Sequence, residues 1–127
     1  MSAPPRQGRF DELPQDEPYL GLRRRAFDSD SATVTRYDFD PGARFPQHVH
    51  PQEQVTLITA GRVELNVAGE RSTLESGSWS VIPGGVEHGI TAGADGASIV
   101  AIIVPRRTDS GAYTVVEDLP ANGTITP

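Results

Sequence analysis

The 127-residue chain has no cysteine. Disulfides and thiolate metal ligands are therefore excluded, and any transition metal must be held by His, carboxylate or amide oxygen. Long apolar runs are missing as well. Nothing approaches the ~20 apolar residues that a membrane helix needs, and the N-terminal residues carry no apolar leader segment. The expectation is a cytoplasmic protein with no membrane partner. Basic charge is scarce, with 11 Lys plus Arg against 17 Asp plus Glu and a net charge of −6, so a phosphate backbone would be repelled and no nucleic-acid partner is expected. The one basic cluster, Arg23-Arg24-Arg25, lies between Asp11, Glu12, Asp16 and Glu17 on one side and Asp28 and Asp30 on the other. It is expected to pair with them or to sit at a subunit contact. No stretch shows a helical period, and no repeat of 20 to 50 residues is found.

What the chain does have is turn chemistry. Thirteen glycines and eleven prolines against an aromatic share of 6% favour short strands and loops, an all-β domain of one core. Residues 1–18 hold four prolines, many charges and scattered apolar side chains, and read as a mobile N-terminal arm, free or docked on the barrel or on a neighbouring subunit. Residues 19–127 read as the folded domain. Strands are predicted over 33–39 and 44–50, over 54–59 and 63–67 as a hairpin closed by Ala60-Gly61-Arg62, and then over 71–74, 79–82, 86–91, 98–104 and 113–116. Eight or nine such strands suit a closed barrel or a two-sheet roll. Gly42, Gly61, Gly77 and Gly85 serve its turns.

Two of the three histidines form His48-Val49-His50. Residues two apart on a strand share a face, so both imidazoles can reach one point. Gln54, Thr56 and Ile58 share that parity if the turn at Pro51-Gln52 adds no net offset. The third histidine, His88, follows a strand, a Pro83-Gly84-Gly85 turn and a new strand, a return of the length that places it opposite the pair. Three imidazoles and one amide oxygen around one cavity suit a first-row divalent metal with open positions for substrate.

These residues resemble the two signature motifs of the cupin superfamily. Gly42, five residues, His48-x-His50, three residues, Gln54, six residues and Gly61 match the first motif. Gly77, five residues, Pro83-x-Gly85, two residues, His88 and Ala92 match the second, with Ala92 standing where the family has Asn. The resemblance implies a small jelly-roll barrel of two antiparallel sheets. It also implies one divalent transition metal per chain (Fe, Mn, Ni, Zn or Co) on His48, His50, Gln54 and His88, and a homodimer that buries the outer side of the run from Ile99 to Val104. Gln54 replaces the usual Glu ligand, with Glu53 beside it as an alternative fourth ligand or base if a bulge turns it inward. A neutral amide leaves the site one charge more positive and tilts the expected chemistry from oxygen activation toward Lewis-acid catalysis.

The string His50-Pro51-Gln52-Glu53-Gln54 resembles small bacterial cupins of the pectin-degradation, quercetinase-like and polyketide-cyclase-like groups. The first of these has an acidic residue and an aromatic partner in a late strand, where this chain has Ala101 and Ile103. The resemblance implies an enzyme, an isomerase, lyase or cyclase on a small oxygenated organic molecule. The alternatives are a quercetinase-type dioxygenase and a non-catalytic metal- or ligand-binding sensor. Arg44, Thr56, Ile58 and Trp79 are the candidate pocket residues. Glu53, Tyr37 as a proton donor and Arg107 as a carboxylate clamp are the candidate catalytic residues.

Overall fold

The computed structural model describes residues 4–107 and 113–117. A single 3-10 turn at Phe10–Glu12 precedes nine strands: β1 (Asp16–Tyr19), β2 (Leu22–Asp28), β3 (Thr33–Phe39), β4 (Arg44–Val49), β5 (Glu53–Val67), β6 (Glu70–Glu75), β7 (Trp79–Ile82), β8 (His88–Val104) and β9 (Thr114–Val115). All pairings are antiparallel.

Two long strands, β5 and β8, each belong to both walls of a roll. Their first crossing half, Glu53–Ile58 against Ile99–Val104, is flanked by β7 on one side and by β3, β2 and β1 on the other. Their second half, Val63–Val67 against His88–Ala92, is flanked by β6 on one side and by β4 and β9 on the other. The ladder shifts register between Ile58 and Ala60 and again between Gly61 and Val63, and such bulges bend and twist a strand. At the bend the two backbones touch: Gly61 (φ 73°) and Gly96 (φ 76°) are both left-handed, and a Cβ on Gly61 would collide with the Gly96 carbonyl oxygen.

This arrangement corrects two expectations. Residues 54–59 and 63–67 do not form a hairpin, because Ala60-Gly61-Arg62 bends one continuous strand instead of reversing it. Residues 86–91 and 98–104 likewise lie largely on one strand, β8. A glycine that adopts positive φ serves a bulge as readily as a turn, and the partner β8 runs unbroken past the bend.

The core fills the space between the two inner faces. Leu22, Tyr37, Phe39, Ile58, Ile82, Ile99 and Ile103 project from the first sheet, and Phe45, Val63, Leu65, Ile90 and Ala92 from the second; all are buried. Alternation accounts for this on β3, where Thr33, Thr35, Tyr37 and Phe39 are buried and the intervening residues are not.

Residues 10–18 lie against the first sheet, and residues 16–18 belong to β1. Arg25 Nη1 donates to the carbonyls of Phe10, Asp11 and Leu13, and Phe10 packs on Phe27 with ring centroids 5.7 Å apart. Its neighbours in the basic triplet pair with acids: Arg24 with Asp16 at 2.6 Å and Arg23 with Asp40 at 3.0 Å. No helix among the described residues is long and apolar enough to cross a membrane.

Candidate metal centre

His48 is the last residue but one of β4, His50 follows that strand, Gln54 is the second residue of β5 and His88 opens β8. His48 pairs directly with His88 across the β4/β8 ladder, and Gln54 sits between Ile82 and Ile103 on the facing sheet. All four side chains are buried. One ring nitrogen from each histidine lies within 4.8 Å of the others.

Hydrogen bonding decides which nitrogens converge. His48 Nδ1–H donates to the Pro46 carbonyl at 2.8 Å, His50 Nδ1–H to Gln52 at 3.0 Å and His88 Nδ1–H to Val86 at 2.9 Å. A carbonyl only accepts, so each proton sits on Nδ1 and each Nε2 carries a lone pair. Burial, reinforced by the neighbouring imidazole of His88, pushes His48 down to about 3. Burial pushes His88 down to about 4, and His50 is lowered for the same reason. The rings are neutral at physiological pH.

Gln54 Oε1 lies 3.1 Å from His50 Nε2 and 3.2 Å from His88 Nε2, and its Nε2–H donates to Thr56 Oγ1 at 3.0 Å. Two ligands bonded to one cation at about 2.1 Å lie about 3.0 to 3.4 Å from each other, so these contacts have the spacing of a coordination shell. Electron pairs facing one another with no proton between them are what a cation resolves. His48, His50 and His88 thus form a group able to hold a metal, and Gln54 is placed to join it.

A cavity of about 20 Å³ adjoins this cluster, bordered by Tyr37, Phe45, His48, Gln54, His88 and Arg107 among others. That volume admits about one water molecule. Arg107 reaches it from the end of β8, its backbone N–H held by Thr33 Oγ1 at 2.9 Å. The Arg107 guanidinium lies 5.7 Å from the centre of the Tyr113 ring, and its buried Nε has no hydrogen-bond partner among the described residues.

Tyr37 and Arg107, expected as catalytic candidates, both border the cavity; Glu53 does not. It is exposed on β5 opposite Val104, and no bulge turns it inward, so Gln54 and not Glu53 faces the histidines. Among the expected pocket residues, Thr56 is fully buried and bonded to Gln54. Ile58 is buried in the core away from the cavity. Trp79 is 68% exposed, because it pairs with Leu57, which has the outward parity of β5, whereas Ser80 pairs with inward Thr56. Arg44 is drawn to Glu117 at 2.6 Å and lies outside the cavity.

Tyr113 and Phe45 were not foreseen as site residues. Phe45 stacks 4.4 Å from the His48 ring, and Tyr113 lies 5.3 Å from it. Phe45 shares the inner face with His48 three residues on because a register shift lies between them, which simple alternation hides. Tyr113 arrives through β9, whose Val115 and Thr114 pair with His48 and Val49. Its hydroxyl meets that of Tyr19 at 3.2 Å.

Comparison with known proteins finds relatives of the same fold. The pectin degradation protein KdgF of Dickeya dadantii (strain 3937) is 27% identical over 101 residues, covering 78% of this chain and 92% of that protein. Among solved structures, an RmlC-like cupin from Shewanella frigidimarina NCIMB 400 superposes with a TM-score of 0.76 at 24% identity, covering 86% of this chain and 98% of that one. KdgF from Halomonas sp. superposes with a TM-score of 0.72 at 25% identity, covering 81% and 98%. The cupin domain family matches residues 35–104, more than half of the chain and the stretch that carries all three histidines and Gln54, and to that family the chain belongs.

Proposed function

We propose that this cupin is a mononuclear divalent-metal enzyme that isomerises, eliminates from or cyclises a small carboxylate-bearing substrate. The observation that carries this reading is the donor set: three neutral imidazoles and one neutral amide. A divalent cation bound there keeps its full charge and supplies a Lewis acid that polarises a substrate carbonyl or hydroxyl. Iron, manganese, nickel, zinc and cobalt all accept such ligands.

The surrounding residues would orient the substrate. Arg107 borders the same cavity as His48, Gln54 and His88 with a buried donor to spare, and a guanidinium pairs with a carboxylate through two parallel hydrogen bonds. Tyr37 offers a phenolic O–H on the same wall, able to give a proton to a developing enolate. The relative named for pectin degradation makes sugar acids the first compounds to try, ahead of keto acids and phenolics. Ala101 and Ile103, both buried on β8, supply no acid of their own, so proton transfer falls to Tyr37 or to water.

The test is turnover of a panel of sugar acids and keto acids by the metal-loaded protein, by the chelated protein and by the H48A/H50A double variant. Turnover with metal, its loss in the other two and a raised KM in R107Q for carboxylate substrates alone are expected. Activity that persists in H48A/H50A refutes the proposal. Oxygen uptake during turnover favours the dioxygenase alternative, since isomerases and lyases consume none. A metal sphere with no exchangeable water favours the sensor.

We further propose that the chain acts as a homodimer. Leu57, Trp79, Val81 and Val104 are 37%, 68%, 49% and 41% exposed, and the ladder register sets them on one outer face of β7, β5 and β8. A contiguous apolar face of this kind marks an association surface. A second copy of the same face is the expected occupant, and sedimentation at the mass of two chains is the expected result.

A further inference from the structure

The amide of Gln54 has two ways to be satisfied, and Thr56 is what makes both possible. In the structure Oε1 faces the Nε2 lone pairs of His50 and His88, while the amide nitrogen donates to Thr56 Oγ1. That orientation suits a cation among the ring nitrogens. Without one, three acceptors confront each other in a buried site, which is unfavourable.

A half-turn of the terminal amide, a torsion with a broad, roughly two-fold profile, exchanges its two ends. The NH2 group then sends one hydrogen to each of the two ring nitrogens, and Oε1 faces Thr56. A hydroxyl both donates and accepts, so Thr56 serves either orientation. It is fully buried, so the choice is not shared with solvent. A carboxylate at position 54 has no hydrogen to offer the imidazoles and lacks the second state.

We propose that Thr56 is a positioning residue for the metal centre: its hydroxyl holds the Gln54 amide carbonyl-inward when a cation is bound and NH2-inward when none is. The proposal rests on the metal-binding reading above and adds to it a reason for glutamine in place of glutamate. The metal-free site is then neutral, with the Nε2 lone pairs of His50 and His88 both satisfied, so it stays assembled while it waits for an ion.

Zinc affinity measured by competition with a chromophoric chelator tests this, together with the Gln54 side-chain ¹⁵N–¹H₂ signals, identified by their absence in Q54E. Replacing an outer partner of a metal ligand costs about 10- to 100-fold in affinity, so T56V is expected to weaken zinc binding by that factor and T56S to restore it. Stoichiometric zinc is expected to shift both Gln54 amide protons in the wild type. Wild-type affinity in T56V, or Gln54 signals that ignore zinc, overturns the role of Thr56 alone. If T56V does not fold, the amide signals decide by themselves. A wild-type protein that binds neither zinc, manganese nor nickel overturns the metal reading and this proposal with it.

Discussion

Stripping the metal and lowering the pH should loosen the fold in a defined window. His48 and His88 are 6% and 2% exposed, and burial lowers them from 6.5 to about 3 and about 4. The unfolded chain binds protons at both positions below pH 6.5, whereas the native chain refuses them until about pH 4. Stability is therefore complete above pH 6.5 and is lost as the pH falls toward the folded values. At pH 5 each group costs RT ln(1 + 10^1.5), about 2 kcal/mol relative to pH 8, so the two together remove about 4 kcal/mol. His50 shifts in the same direction and adds to the loss. For a domain of this size the unfolding midpoint should drop by about 10 to 20 °C. Glu117 does not intrude. Burial pushes its carboxyl up, but the Gln47 N–H and Arg44 overcome this and hold it below 4.5, so its contribution disappears only below the window. Thermal unfolding followed by circular dichroism in excess chelator at pH 8, 7, 6 and 5 is the assay. A midpoint that is flat or rises across that range would refute the neutral, buried state of these imidazoles. Saturating metal should raise the midpoint across pH 8 to 6 without flattening its fall, because the protons responsible are taken up by the unfolded chain, which holds no ion.

Two further outcomes follow from the sheet geometry. G61A places a Cβ against the Gly96 carbonyl oxygen in a left-handed backbone conformation and should cost about 2 kcal/mol or more; an equally stable variant in urea titration contradicts the bend at that residue. W79E places a charge in the exposed apolar face and should halve the sedimenting mass while leaving the metal stoichiometry unchanged; a persistent dimer removes that face from consideration.

The convergence of the three histidines was the most legible part of the sequence because their placement depends on local rules. His48 and His50 share a face through strand alternation alone, and the Gly-Gly turn before His88 is punctuated in plain residues. The pocket wall was not legible, since membership depends on which strand lies opposite. Trp79 follows the outward Leu57, and Arg44 is claimed by Glu117, 73 residues away. Tyr113 reaches His48 through a strand pairing that no local pattern announces. The bend in β5 is not legible, because Gly61 signals positive φ without saying whether the chain reverses or merely kinks.

Each imidazole of the cluster is oriented by a backbone carbonyl two residues away on its own segment: Pro46 for His48, Gln52 for His50 and Val86 for His88. None of these bonds depends on the identity of a neighbouring side chain. The aim of the three rings is in this sense set by backbone and not by the side chains around them. Residues that border the cavity without bonding to the rings, such as Leu65 and Ile99, can change shape without removing any of these three bonds. A barrel wired in this way is open to changes of substrate by mutation of its walls alone, and random libraries confined to those walls should yield altered selectivity far more often than loss of the ion.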